Sequence, residues 1–325
     1  MNNIFKNFLL VFISILITFI LTELFLRLMK FQPFKYIKSN SPGPYIHKHD
    51  QNLGWSNKEG IYLSKIDEDN IITYTFFEDG SRYSGKDFNK YSGEKKIILI
   101  GGSLTFGQAI NDDETFSFHL QNYFKNYEIK NFGVAGYGTY QSYLKLKDLF
   151  QNIENIEYVI YSFMDHHEIR NTGDASWLEF LTRLSREPVY IPYVKLDKNS
   201  NLIEYAPIKY FKLSLSKYSV LITKLQKQIM RLFFFKQNKD ISLITKKLFI
   251  KMHKLSNKND SKFIIVNLIS DKLKMEEYNN FAKANKIQFK DCQIELNDKF
   301  KVENDGHPNH LANKKYANCI QQFIK

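Results

Sequence analysis

Cysteine is nearly absent from this 325-residue chain: Cys292 and Cys319 are the only two. Two thiols build neither a multi-bridge disulfide framework nor a four-ligand zinc site, so the fold must come from an apolar core. Both read as small apolar residues that say little about redox compartment. No internal repeat is present, and neither a recognised nucleic-acid motif nor a clustered Arg/Lys stripe accompanies the net charge of +12. The lysines are scattered among Asn, Ile and Phe, which argues for no nucleic-acid partner and makes an anionic membrane surface the simpler acidic one. With 43% hydrophobic and 25% charged residues, the chain has the composition of a globular protein that buries a substantial core.

From Asn7 through Leu26 the sequence is almost wholly apolar, interrupted by Ser, Thr and the single Glu23. At about 1.5 Å per residue, such a run is long enough to cross the ~30 Å hydrocarbon layer. It gives way to Leu-Arg-Leu-Met-Lys and no small-residue cleavage site, so residues 1–30 are expected to be a retained single-pass anchor in the lipid bilayer. Lys6 precedes the run, whereas Arg27, Lys30, Lys35 and Lys38 come after it. A naive positive-inside count keeps the body in the cytoplasm, but a large folded domain can translocate against flanking charge. An extracytoplasmic body is the expectation.

Residues 31–92 divide into a Pro/Gly-containing linker and a small β-rich prelude, with β-type runs in GIYLSKI and NIITYTFF. From residue 93 the texture alternates between buried strands and amphipathic helices: KKIILIG, ETFSFHLQNYFKN, EIKNFGV, TYQSYLKLKDLFQNI, YVIYSFMD. The alternation returns near the carboxyl end and predicts an α/β domain over 93–325, with a parallel sheet covered by helices on both faces. Residues at about 172–258 break it and read as a helical insertion, either packed helices, a substrate lid or a membrane-lying surface.

Two segments carry chemistry. In IILIGGSLTFG a buried strand runs into Gly101-Gly102-Ser103, which would expose the Ser103 hydroxyl at the carboxyl end of the sheet. Alone, such a turn serves equally as a helix cap or an anion-binding loop. No Lys comes after the glycines, so it is not a Walker loop, and Thr105 occupies the second glycine position of a G-x-S-x-G elbow. Far away, NDGHPNH places Asp305 two residues before His307. A general-base histidine needs a partner that fixes its tautomer, and this carboxylate qualifies, although a structural turn or half a metal site also fits.

Together these segments resemble the SGNH (GDSL-like) hydrolase superfamily. GGSLTFG resembles its first block, with Gly102 where Asp is usual. NFGVAGYG (131–138) resembles the second, and DGHPNH the last. LGW (53–55) and EDGSRYSG (78–85) resemble segments that precede the domain in membrane-anchored members. The resemblance implies a three-layer α/β/α sandwich with a parallel sheet. Ser103 would be the nucleophile, His307 the general base and Asp305 its orienter, with the backbone N–H groups of Ser103 and Gly136 receiving the oxyanion. It implies a serine esterase or acyltransferase without metal or organic cofactor, acting on acyl esters of cell-surface glycans or lipids, an O-acetylated polysaccharide first among them. One departure is visible. The third-block Asn that completes the oxyanion hole falls on Met164 or Asp165 in YSFMDHHEIRN, leaving His166, His167, Arg170 or Asn171 as substitutes. Two other readings remain: a catalytically degenerate glycan- or partner-binding module, and a membrane protein whose inserted helices bind partners.

Overall fold

The computed structural model describes residues 3–37, 46–66, 71–85, 95–184, 188–234 and 240–324. The chain opens with helix α1 (Asn3–Leu28), then strands β1 (His47–Asp50), β2 (Gly54–Asn57), β3 (Gly60–Lys65) and β4 (Ile71–Phe76). Strand β5 (Lys95–Gly101) leads into the one-turn α2 (Ser103–Phe106), α3 (Phe116–Tyr123), β6 (Tyr127–Asn131), α4 (Thr139–Asn152) and β7 (Ile156–Met164). Next come α5 (His167–Asn171), α6 (Ala175–Leu184), the hairpin β8 (Tyr190–Leu196) and β9 (Leu202–Lys209), and α7 (Val220–Phe234). The chain closes with α8 (Ile241–Lys258), β10 (Lys262–Ile269), α9 (Lys272–Ala284), β11 (Gln288–Asp291) and α10 (His310–Ile320). The Pro42-Gly43-Pro44 part of the expected linker lies outside the described residues.

The chain forms two compact units, one from residues 1–38, 175–189 and 209–237, the other from 39–174, 190–208 and 238–325. The second holds a five-stranded parallel sheet in the order β11-β10-β7-β5-β6. Successive residues of a strand face opposite sides, so the unbroken run Ile97-Ile98-Leu99-Ile100 serves two cores. Ile97 and Leu99 pack with Phe116 and Leu120 of α3 and with Tyr316 and Ile320 of α10. Ile98 and Ile100 pack with Leu146 of α4, Phe249 of α8 and Tyr278 of α9. The result is a three-layer α/β/α sandwich, as the alternation requires.

Two expectations need correction. The stretch 172–258 is not one helical insertion: β8 and β9 lie within it, and α8 is a layer helix whose Phe249 and Met252 are buried against the sheet. Its lysine-rich exposed face hides that role in the sequence. The cysteines are not free apolar residues either. Cys292 lies just past β11 and Cys319 in the last turn of α10, which packs over that edge, and the two form a disulfide with Cα atoms 5.7 Å apart. For their separation of 27 residues, loop-closure entropy contributes about 3 to 4 kcal/mol.

The prelude braces the sheet loops. Trp55 Nε1 donates to Ala135 O (3.0 Å), Asn57 Nδ2 to Gly133 O (3.1 Å), and Gln141 Nε2 to Leu53 O (2.8 Å). The Tyr137 hydroxyl donates to Trp55 O. The LGW segment thus holds the turn that comes after β6.

Candidate active site

Strand β5 connects to β6 on one side while the chain returns to β7 on the other, so the carboxyl end of β5 borders the crevice where open α/β sheets place ligands. Ser103 begins α2 there and is 8% exposed. The loop before α10 reaches the same point. Its shape comes from Val302, whose N–H donates to His307 O (2.7 Å) and whose carbonyl accepts from Gly306 N (2.9 Å). Gly306 has φ +86°, and open space surrounds the position of an added Cβ, so glycine is required there for backbone conformation and not for room. Asn309 then caps α10 by accepting from Leu311 and Ala312.

These two elements bring residues 204 positions apart into one hydrogen-bonded chain. Ser103 Oγ lies 3.0 Å from His307 Nε2, and His307 Nδ1 lies 2.5 Å from Asp305 Oδ1. Asp305 Oδ1 also accepts from the His307 backbone N–H at 3.2 Å. With Nδ1 engaged by the carboxylate, Nε2 presents its lone pair to the hydroxyl, the tautomer that general-base work needs. Burial raises the Asp305 carboxyl, but the hydrogen bonds and charge of His307 outweigh it and hold the group below its ordinary 3.8.

A depressed carboxylate stabilises the fold above its ordinary range, and that contribution disappears as pH falls through the lowered value. The wild-type melting temperature is therefore expected to exceed that of Asp305→Asn at pH 7, with the two curves converging in acid below about pH 4, near the ordinary carboxylate value. A gap that persists unchanged at pH 2 would remove the ionised carboxylate from the account.

The expected oxyanion donors are not used up inside the protein. Among the described residues, the N–H groups of Ser103 and Gly136 donate to no protein acceptor. Gly133 lets the second-block turn approach α2, since a Cβ there would sit 2.3 Å from Phe106 N. The third-block substitutes behave differently from one another. Asp165 turns its carboxylate to the Asp271 N–H (3.0 Å). His166 leaves its side chain 70% exposed, near Asp165. Asn171 does not serve as a donor to the site: it is fully buried, its Oδ1 accepts from Tyr140 N (2.9 Å) and its Nδ2 donates to Thr245 Oγ1 (2.9 Å).

His167 is the imidazole that comes to the serine turn. Its Nδ1 shares a 2.6 Å hydrogen bond with the Tyr161 hydroxyl, while its buried Nε2 has no protein partner among the described residues. Burial, with Arg170 adding to it, drives its pKa well below the ordinary value and keeps the ring neutral. A Cβ on Gly102 would lie 2.8 Å from that Nε2 and 3.0 Å from Tyr137 O. That crowding is the physical reason for glycine where the family block has Asp. The rest of α5 is a rivet: buried Glu168 accepts from Lys274 Nζ (3.0 Å) and the Tyr278 hydroxyl, and Arg170 Nη1 donates to Tyr137 O (3.0 Å).

One residue under the site went unread in the sequence. Arg82, fully buried, donates five hydrogen bonds: Nε to Asp112 Oδ1 (2.7 Å), Nη1 to Phe106 O (2.7 Å) and Gly107 O (2.6 Å), Nη2 to Ile110 O (2.7 Å) and Thr73 O (3.2 Å). It collects the free carbonyls at the end of α2 and so sets the helix that carries Ser103.

No family model matches this sequence, and no curated protein matches it. Among the solved structures it resembles are lipolytic proteins of the G-D-S-L family and an SGNH-hydrolase family esterase. A member of the lipolytic protein G-D-S-L family from Veillonella parvula aligns at TM-score 0.42 and 12% identity, covering 71% of this chain and 98% of that one. TesA aligns at TM-score 0.42 and 9% identity over the same shares. The Pseudoalteromonas esterase EstA, solved inhibited by monoethylphosphonate, aligns at TM-score 0.40 and 10% identity, covering 71% and 99%.

Proposed function

We propose that this chain is a membrane-anchored serine esterase or acyltransferase working through a Ser103 acyl-enzyme. The observation that carries the reading is the hydrogen-bonded chain from Ser103 Oγ through His307 to Asp305. Ser103 Oγ attacks the ester carbonyl and passes its proton to His307 Nε2, while Asp305 stabilises the resulting imidazolium. The carbonyl oxygen gains the negative charge and receives the N–H groups of Ser103 and Gly136. As the tetrahedral centre collapses, the alkoxide leaves with the His307 proton. A second hydroxyl, from water or a sugar, gives its proton to His307 and attacks the acyl carbonyl, and as the bond to Ser103 Oγ breaks His307 returns that proton to the serine oxygen.

Anchoring is supported by α1, a 26-residue helix of mean hydropathy 2.6 over its most apolar window. The Cys292–Cys319 disulfide supports an oxidising, extracytoplasmic setting for the second unit. For substrate we assign an O-acyl ester of a cell-surface glycan or lipid, by analogy of architecture and topology. Net charge does not favour an acidic glycan, since the second unit carries 32 Lys and Arg against 31 Asp and Glu.

The test incubates full-length protein in detergent with an O-acetylated polysaccharide and a deacetylated acceptor glycan. Free acetate in excess over transferred acetyl identifies an esterase, and the reverse identifies a transferase. Absence of both, in protein that remains folded, would favour a binding module that kept the fold.

A further inference from the structure

We infer that the first unit is a collar lying in the headgroup layer of an anionic bilayer, with α7 and the turn before it as the lipid-facing surface. The inference rests on the reading of α1 as a membrane span. Its first support is charge. Apart from Lys6 at the far end of α1, the first unit carries 13 Lys and Arg against 3 Asp and Glu, so most of the chain's excess of +12 sits on the collar side. Cations near an anionic leaflet are attracted individually and together.

The second support is where α7 begins. Glu23, in the closing turns of α1, accepts hydrogen bonds from the N–H groups of Val220 (3.0 Å) and Leu221 (2.9 Å) and from the Ser219 hydroxyl (2.8 Å). Arg27 donates to Glu23 Oε1 (2.7 Å) and to Tyr218 O (2.7 Å). The start of α7 is thereby fixed at the level where the apolar run of α1 ends, which for a spanning helix is the interface. The carboxylate caps a helix terminus, so neither charge is left uncompensated at that depth.

The third support is the sidedness of α7. Its buried positions Val220, Thr223, Gln226 and Met230 include two polar residues, both hydrogen-bonded inside the unit. Thr223 Oγ1 accepts from Phe34 N (3.0 Å), and Gln226 Oε1 accepts from Leu213 N (2.6 Å). Its outward positions carry Leu225 (48% exposed) next to Lys224 and Leu232 (75%) next to Arg231, with Gln228 between the two pairs, and the preceding turn exposes Leu215 and Tyr218. Thr223 and Gln226 point inward while Leu225 and Leu232 point outward beside basic residues, and interfacial helices pair exposed Leu with snorkelling Lys and Arg in this way.

The test places an environment-sensitive nitrobenzoxadiazole dye on Leu225→Cys and, separately, on Ile13→Cys in α1 of the full-length protein. Both are reconstituted in nanodiscs of phosphatidylcholine with phosphatidylglycerol. The native cysteines are bonded to each other and spare the labelling. Expected is quenching of the Leu225 dye by lipids with a shallow spin label and of the Ile13 dye by lipids with a deep one. The Leu225 quenching should weaken in discs of phosphatidylcholine alone or after Lys224→Glu with Arg231→Glu. If only the Ile13 dye is quenched, the collar is overturned while the anchor stands. If neither is quenched, the anchor reading falls and takes the collar with it. A blue-shifted Leu225 dye insensitive to every spin-labelled lipid would mean that a protein covers the face, which also overturns the collar.

Discussion

His307→Ala is expected to lower kcat for an aryl acetate by about four to six orders of magnitude, with KM nearly unchanged and the melting temperature lowered only as far as the lost pairing with Asp305 lowers it. In the proposed mechanism the imidazole takes the proton that leaves Ser103 Oγ, and no other basic side chain among the described residues hydrogen-bonds that oxygen. Binding of the ester does not depend on it, so the loss falls on kcat. His307 contributes little to the core, since its side chain is 32% exposed and sits in a loop shaped by backbone hydrogen bonds. Ser103→Ala should be as damaging, and the double variant no worse than either, because the two residues perform one proton transfer. Initial-rate kinetics with a thermal melt of each variant check this. A loss confined to KM, or two clearly additive losses, would mean that the residues act separately.

Arg82→Ala is expected to leave too little stability for a folded second unit. The guanidinium and Asp112 form an ion pair with side chains 0% and 10% exposed, and breaking such a pair from one side typically costs about 3 to 5 kcal/mol. The same substitution strands the carbonyls of Phe106, Gly107 and Ile110, each worth roughly another 1 to 3 kcal/mol when buried without a donor. Against a total of about 5 to 15 kcal/mol, that sum is decisive. Lysine will not restore the fold, because one ammonium cannot span carbonyls on two sides as the planar fork does. Limited proteolysis and a thermal melt read the outcome. An Arg82→Ala protein melting within a few degrees of wild type would show that the carbonyls find other donors.

The range of each signal decides how much of the fold and site was legible in the sequence. Strands β5, β7 and β10 are largely apolar runs that must be buried on both faces, Ser103 stands in the turn after β5, and Asp305 and His307 stand in the loop before α10, each segment marked by its glycines. Arg82 was not legible. A charged residue in a turn-rich stretch reads as solvated, and only the three-dimensional convergence of five acceptors accounts for its burial. Among the four polar residues after β7, the sequence could not tell which turns inward. The answer depends on a one-turn helix whose Glu168 is held by α9, more than a hundred residues later. The disulfide was hidden for the same reason, since nothing in a separation of 27 residues says that α10 returns over the end of β11.

The most direct test of the central claim is intact-mass analysis of the full-length protein after exposure to a fluorophosphonate. A single adduct is predicted on Ser103, formed at neutral pH and lost in both Ser103→Ala and His307→Ala. Folded wild-type protein that takes no adduct, or takes one elsewhere, would contradict an activated Ser103 and leave the fold without the chemistry assigned to it.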